Sequence, residues 1–106
     1  MPKYLVQGSY TAQGTKGVQK DGGTKRRQTA EALVKEAGGK LEAFYFTYGE
    51  KDFVLIADLP DSASAIAVSL AVNASGAIQM KTIPLITAEE MDAAIRKQLS
   101  YRPPGQ

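Results

Sequence analysis

Residues 40–59, KLEAFYFTYGEKDFVLIADL, constrain the fold more than any other stretch because they are the richest in aromatic and β-branched side chains. Such side chains favour strands. The run 41–48 has two largely apolar faces, and the run 53–59 is almost continuously apolar, as in a strand buried on both sides. Residues 49–52, GEKD, have the composition of a turn. The stretch therefore predicts a β-hairpin at the heart of a sheet.

The first strand of this hairpin predicts an interface with a second copy of the chain. Strict alternation places Phe44, Phe46 and Tyr48 on one face and Leu41, Ala43 and Tyr45 on the other. Only one face can meet helices, and monomers rarely expose a large contiguous apolar patch. We therefore expect a homodimer or a higher homo-oligomer, with Phe44, Phe46 and Tyr48 at the interface on the helix-free face. The alternative is a cover formed by the C-terminal helix and tail of the same chain.

The segment before the hairpin predicts one strand and one long helix. Residues 3–10 alternate two faces as a strand does, and Gly8 within them indicates a bulge or a close approach of another group. The glycine-rich residues 11–23 predict only a short helical turn and a break. A helix then begins with Thr24 as its N-cap and ends at the glycine pair 38–39. Its buried stripe is predicted to contain Ala30, Leu33, Val34 and Ala37.

The segment after the hairpin predicts a helix, a strand and a final helix. Residues 62–76 form the helix, capped by Asp61 or Ser62. Residues 77–86 form the strand, which Pro84 restricts to a sheet edge or a bulge. The inward face of the first of these helices is predicted to contain Ile66, Ala67, Leu70, Ala71 and Ala74. A capping box formed by Thr87 and Glu90 opens the final helix, whose apolar stripe contains Met91, Ala94, Ile95 and Leu99.

The predicted order of elements is βαββαβ followed by a C-terminal helix. Two right-handed crossovers in this order give a ferredoxin-like α+β fold, an antiparallel sheet with both helices on one face. The second strand is then an edge strand. A chain of 106 residues without an internal repeat or a linker predicts a single domain over residues 1–106.

Composition limits the chemistry that this chain can perform. Cysteine and histidine are both absent, which excludes disulfides, thiolate chemistry and the commonest general base and metal ligands. A net charge of +2 does not point to nucleic acid or to a membrane as a partner. Neither a signal-peptide pattern nor a membrane-spanning run is present in the sequence. We therefore expect a cytoplasmic protein that uses no metal and no cofactor.

A basic segment is the first candidate binding site. Lys25, Arg26 and Arg27 follow the glycines and stand near a predicted helix start, where backbone N–H groups attract anions. They predict a weak site for a small anionic ligand, and the alternative is a merely solvated charged loop. The frame 17–24 resembles a phosphate loop, but Gly23 replaces the lysine that such a loop needs.

Three residues are weak candidates for catalysis. Asp58 stands in an otherwise apolar strand, where an unpaired carboxylate has a raised pKa. Tyr10 and Tyr48 could donate or accept a proton. The alternatives are a solvated strand end for Asp58 and simple packing for the two tyrosines.

A set of segments spread over the whole chain, residues 1–6, 10–11, 22–27, 38–46, 49–52 and 73–76, matches a known family pattern. On these segments the chain resembles the GYD-domain family of small bacterial proteins. The Gly-x-Tyr-Asp-like turn of the family corresponds here to residues 49–52, with Gly49 and Asp52 matched and Lys51 in place of the tyrosine. The resemblance implies a fold similar to dimeric α+β barrels, carries over Gly49 and Asp52 as motif residues, and implies no activity.

Three functions are consistent with these features. The first is an oligomeric binding module, whose pocket between sheet and helices holds a small organic or anionic molecule. The second is a cofactor-free isomerase or oxygenase of the kind that dimeric α+β barrels host. The third is a purely structural assembly protein. The missing histidine argues against the enzyme, so the binding module is the preferred hypothesis.

Overall fold

The computed structural model describes residues 1–106 as a four-stranded antiparallel sheet with four helices. In chain order the elements are β1 (Lys3–Tyr10), α1 (Ala12–Asp21), α2 (Gly23–Glu36), β2 (Lys40–Phe46), β3 (Phe53–Asp58), α3 (Ser62–Ala74), β4 (Ile78–Leu85) and α4 (Ala88–Arg96). The strand order is β2-β3-β1-β4, and α2 and α3 pack on the same face of the sheet. This arrangement confirms the predicted ferredoxin-like α+β fold.

Several local predictions are confirmed. β2 and β4 are the two edge strands, and β4 contains Pro84, whose missing N–H is tolerated at an edge. The capping box at the start of α4 is formed by Thr87 and Glu90, with both hydrogen bonds at 3.0 Å. Val34 is buried on α2, as expected. Where the pattern of polar and apolar residues was regular, it therefore predicted the structure correctly.

The prediction for the glycine-rich segment was wrong in two respects. α1 is a ten-residue helix despite Gly14 and Gly17, and Thr11 caps it by accepting a hydrogen bond from the Gly14 N–H at 3.3 Å. A side chain at Gly14 would overlap the carbonyl of Ala77, so the glycine allows close packing of α1 rather than breaking it. The break lies at Gly22, which has φ 84° and is itself the N-cap of α2, so Thr24 is not the cap.

The inward face predicted for α3 was also wrong. Asp61 caps this helix through a 2.8 Å hydrogen bond from the Ser64 N–H, and Ala65 is its buried residue. Ile66 and Leu70, which were predicted to face inward, are 57% and 66% exposed. In a helix made almost entirely of small and aliphatic residues, the apolar pattern does not define one face, so the packing against the sheet decides it.

A β-bulge in β2 overturns the predicted faces of the hairpin. The register of β2 against β3 shifts between Leu41 and Ala43, so Glu42 is an extra residue. After the bulge, Phe44 and Phe46 turn towards the helices, where Phe44 packs against the core and Phe46 lies against Gly23 of α2. The expectation that Phe44 and Phe46 lie on the helix-free face was therefore wrong.

Tyr48, the third residue of the predicted interface, also lies elsewhere. It follows the end of β2 in the loop that leads to β3, and its side chain is fully exposed. It is therefore not part of either face of the sheet. Tyr45 is the aromatic residue of β2 that is exposed on the helix-free face, opposite Val54.

A row of four aromatic rings crosses the helix-facing side of the sheet. Phe53 stacks on Phe44 at 5.7 Å between ring centroids and contacts Tyr10 at 5.5 Å, while Phe44 meets Phe46 edge to face at 5.1 Å. The Phe53 ring also covers Gly8 of β1, where any side chain would overlap it. The predicted close approach at Gly8 is thus a contact with an aromatic ring.

α4 and the residues after it project from the rest of the chain. None of the side chains of α4 is buried. The radius of gyration is 17.0 Å, whereas a compact chain of this length has about 13 Å. The C-terminal helix therefore does not fold back over the helix-free face, as the alternative explanation required. None of the helices has the length and apolarity of a membrane span.

The contact between Gly8 and Phe53 gives a test of the packing. We expect Gly8→Ala to lower the free energy of unfolding by about 2–3 kcal/mol, because Phe53 must leave its place in the core. Gly17→Ala is the matched control. Gly17 lies in α1 with open space where its side chain would be, so alanine should stabilise the chain by up to ~1 kcal/mol. Urea denaturation measures both values, and equal effects of the two substitutions would contradict the packing described.

Candidate functional site

A cavity of about 80 Å³ lies between the sheet and helices α2 and α3. Of its 16 lining residues, 14 are hydrophobic. They come from all four strands and from both helices, and include Val6, Val34, Phe44, Leu55, Val68 and Met80. The row of aromatic rings contributes three of its members to the lining. The cavity is therefore an apolar space built by the main core of the fold.

Two polar side chains, Arg26 and Thr29, also line this cavity. Arg26 lies in the first turns of α2, four residues before Ala30 and seven before Leu33. This spacing places Arg26 on the same helix face as the apolar stripe, so its guanidinium is directed to the cavity rather than to open water. Arg26 is partly buried and forms no ion pair with any carboxylate of the chain.

A second cleft adjoins the cavity beneath α1. Its volume is about 200 Å³, and it shares Tyr10, Arg26 and Ile78 with the cavity. Gly14 and Gly17 of α1 lie along it, and the space where a side chain of Gly17 would be is open. Tyr10 and Arg26 therefore stand at the junction of an apolar space and a more polar one.

The phenol of Tyr10 shares this junction with Arg26. Partial burial raises the pKa of Tyr10 above its ordinary value of 10.0, and the nearby positive charge of Arg26 partly offsets that effect. The net direction is upward. Tyr10 is therefore a neutral phenol at physiological pH, able both to donate a hydrogen bond and to accept one.

Asp52 fixes the position of Tyr10 through the backbone. Its Oδ2 atom accepts a hydrogen bond from the Tyr10 N–H at 2.8 Å, and its own N–H donates to the carbonyl of Gly8 at 2.8 Å. The turn after β2 is thereby joined to the end of β1. Gly49, the other motif residue, lies in the exposed part of this turn with open space around it. Within this chain Asp52 is thus a positioning residue.

The basic segment does not form one cluster in the structure. Lys25 is exposed and lies 3.9 Å from Asp21, its partner on the preceding helix. Arg27 is exposed and lines a shallow cleft beside β2 that also includes Tyr45. Successive helix residues are about 100° apart, so the three side chains point in different directions. Arg26 alone lines the cavity.

The three catalytic candidates do not share one site. Asp58 lies on the helix-free face, where its Oδ1 atom is 2.9 Å from Nζ of Lys3. Hydrogen bonds to Asp58 and to Glu42 raise the pKa of Lys3, so this cluster is a paired surface group. Tyr48 faces water. Tyr10 is therefore the one catalytic candidate that lies at a cavity.

Sequence reasoning missed most of the cavity lining. The sequence predicts Phe53 and Leu55 only as part of a buried strand, and it gives no sign of a role for Val68. The cavity among these residues follows from how α2 and α3 are spaced over the sheet. One signal was available in the sequence. Arg26 extends the apolar stripe of α2 by one turn, and that position distinguishes it from its two basic neighbours.

Comparison with known proteins identifies one matching family model, described as GYD domain, over residues 4–95. None of the curated proteins matches the chain. A solved structure described as "crystal structure of FFRP-DM1" covers 81% of this chain and 100% of its own, with 18% sequence identity and a TM-score of 0.48.

The contact between Tyr10 and Arg26 can be tested by titration. The difference in alkaline absorbance between the wild type and Tyr10→Phe should give a midpoint above pH 10.0, because burial opposes the phenolate. The midpoint should rise further in Arg26→Gln, which loses the guanidinium that favours the phenolate. Since the folded-state pKa is raised, the stability that Tyr10 contributes is present below pH ~10 and is lost as the pH rises through the midpoint. A midpoint unchanged by Arg26→Gln would place the guanidinium away from the phenol.

Proposed function

The chain belongs to the GYD-domain family, and because this membership names no activity, we propose from its cavity that the protein is an oligomeric binding module for a small organic anion. The observation that carries the proposal is the unpaired Arg26 at the edge of an otherwise apolar cavity. A partly buried guanidinium without a carboxylate partner is suited to bind a carboxylate or a similar anion from outside the chain.

The size of the two spaces limits the ligand. An apolar protein cavity of about 150 Å³ can hold benzene. The cavity of about 80 Å³ therefore suits a short aliphatic chain, and the adjoining cleft of about 200 Å³ has room for the polar end of the same molecule. Arg26 and Tyr10 lie where the two parts of such a ligand would join.

The proposed ligand is thus a short-chain carboxylate or a molecule of similar shape. Its apolar part would replace empty space among Val6, Leu55 and Val68, which gains contacts without displacing tightly held water. Its carboxylate would accept hydrogen bonds from Arg26 and from the neutral phenol of Tyr10.

A cofactor-free enzyme is the second candidate, and one observation favours it. The Tyr10 phenol stands at the cavity and is protonated at neutral pH, so it could supply a proton to a bound substrate, but its raised pKa makes it a weaker acid than an ordinary tyrosine. General acid–base chemistry also needs a group to accept a proton, and Asp58 and Tyr48 lie elsewhere. Binding without turnover therefore accounts for the site with fewer assumptions.

The oligomer in this proposal forms through the helix-free face of the sheet. Leu5 pairs with Ile56 on one side and with Ile83 on the other. Ala43 extends this apolar row on β2, next to Tyr45, which is 68% exposed. A second copy carries the same apolar row, and a two-fold axis brings the two rows into contact, so that both copies use the same surface, as in an isologous interface. These residues replace Phe44, Phe46 and Tyr48 as the proposed interface.

The ligand site is tested by titrating the protein with hexanoate, 1-hexanol and inorganic phosphate, using calorimetry and thermal shift. Hexanoate should bind most tightly and phosphate should have no effect, because the site needs both an apolar chain and an anion. Arg26→Gln should weaken hexanoate binding roughly tenfold to a hundredfold, since a charge-assisted hydrogen bond contributes about 1.5–3 kcal/mol. It should leave hexanol binding unchanged.

Arg27→Gln is the matched control for this experiment because Arg27 is the next residue on the same helix and is directed to another cleft. It should bind hexanoate as the wild type does. Equal losses in the two variants, or none in either, would contradict the proposed site. If the cavity binds neither hexanoate nor hexanol, the hypothesis of a purely structural assembly protein is favoured instead.

The interface is tested with two tyrosines that differ in position alone. Tyr45→Asp should weaken association by roughly 2 kcal/mol, or about thirtyfold in the dissociation constant, because it places a charge in the apolar row. Tyr48→Asp should have no effect, since Tyr48 lies beyond the strand. Sedimentation equilibrium measures both. A wild type that remains at 11.3 kDa at micromolar concentration would contradict the oligomer.

A further inference from the structure

α4 carries an apolar edge that nothing in its own chain covers. Met91 and Ile95, four residues apart on one face, are 47% and 68% exposed. The capping box at Thr87 begins the helix and makes it a defined element. A short amphipathic helix that projects from the body with an open apolar edge needs a partner to be stable.

The charges of α4 and the next residue are divided along the helix. The first half carries Glu89, Glu90 and Asp92, and the end carries Arg96 and Lys97. None of these five residues forms an ion pair in the structure. At 100° per residue, Asp92 lies about 80° from the middle of the Met91–Ile95 edge, and Arg96 lies about 120° from it on the same side. Glu90 and Lys97 lie about 120–140° away on the other side, towards the back of the helix, and Glu90 is held in the capping box with Thr87.

This division makes α4 complementary to itself when two copies run antiparallel. In an antiparallel pair of helices related by a two-fold axis, each flank faces the same flank of the other copy. The acidic start of one helix then meets the basic end of the second, so that Asp92 of each copy lies opposite Arg96 of the other. A parallel pair would bring acidic residues against acidic ones.

We propose that α4 is a self-association element, which binds the α4 of a second copy of this chain in antiparallel orientation. Met91 of each copy packs against Ile95 of the other, and the flank with Asp92 and Arg96 supplies the opposite charges. Antiparallel helices also align each macrodipole favourably with the other. The occupant is a second copy because the charge pattern matches the pattern of α4 itself.

The contact is small and acts together with another interface. A helix of nine residues is about 13.5 Å long. Stable interfaces bury about 800 Å² per partner, more than two such helices can supply. The pair therefore adds to an oligomer held elsewhere, for which the helix-free face is the proposed site, and a second contact between tethered copies gains from their high effective concentration.

Cross-linking of the full chain tests the pairing without interference, because the protein has no cysteine of its own. Ala94 lies on the flank near the proposed two-fold axis, whereas Ala93 lies on the opposite side of the helix. With a short bis-maleimide, Ala94→Cys should form covalent dimers at least tenfold faster than Ala93→Cys. Equal rates for the two variants would overturn the proposal.

Charge reversal in the Ala94→Cys protein gives the second test. Asp92→Lys alone and Arg96→Glu alone should each slow cross-linking, because each places like charges opposite one another. The double variant Asp92→Lys/Arg96→Glu should recover the original rate, as should an equal mixture of the two single variants. Failure of both to recover the rate would overturn the proposal, because α4 would then bind a surface other than the α4 of a second copy. Since Tyr45 is unchanged in these proteins, the result is separate from the test of the sheet interface.

Discussion

The structure depends on the contact between the ring of Phe53 and the backbone at Gly8. Because Gly8 has no side chain, Phe53 can lie across β1 and touch Tyr10 on one side and Phe44 on the other. These rings form part of the cavity lining, so the same contact that holds the core also shapes the candidate site. It further couples Tyr10, which carries the polar end of the site, to the central strand β3. The fold and the site therefore have a common physical origin.

The β-bulge at Glu42 explains why the alternating pattern predicted the faces of β1 correctly and the faces of β2 incorrectly. Alternation predicted β1 correctly, since no residue there departs from period two. In β2 one extra residue moved Phe44 to the helices and left Tyr45 outside. The bulge is accompanied by a 2.9 Å ion pair between Glu42 and Lys3, a contact between distant parts of the chain that no local pattern contains. An aromatic strand with two apolar faces thus predicts that both faces will be covered, but it does not predict which face packs against the helices.

The candidate site was predictable in part for a similar reason. Adjacent basic residues suggested one anion site, but the helix separates them, and Arg26 alone continues the apolar stripe into the cavity. The motif residue Asp52 accepts a hydrogen bond from the Tyr10 N–H and so positions the end of β1. Helix geometry could have identified Arg26, whereas the role of Asp52 depends on a turn meeting a distant strand. Long-range contacts are what the sequence pattern could not supply.

The most direct measurement of the central claim is an NMR experiment on methyl-labelled protein with bound hexanoate. Val6 and Leu5 are neighbours in β1 whose side chains lie on opposite faces of the sheet. If the cavity between sheet and helices is the binding site, nuclear Overhauser effects will connect the hexanoate chain to the methyl groups of Val6, Leu55 and Val68. Nuclear Overhauser effects from hexanoate to Leu5 and Ile56 instead, or no such effects to the cavity methyl groups at saturation, would contradict binding in this cavity.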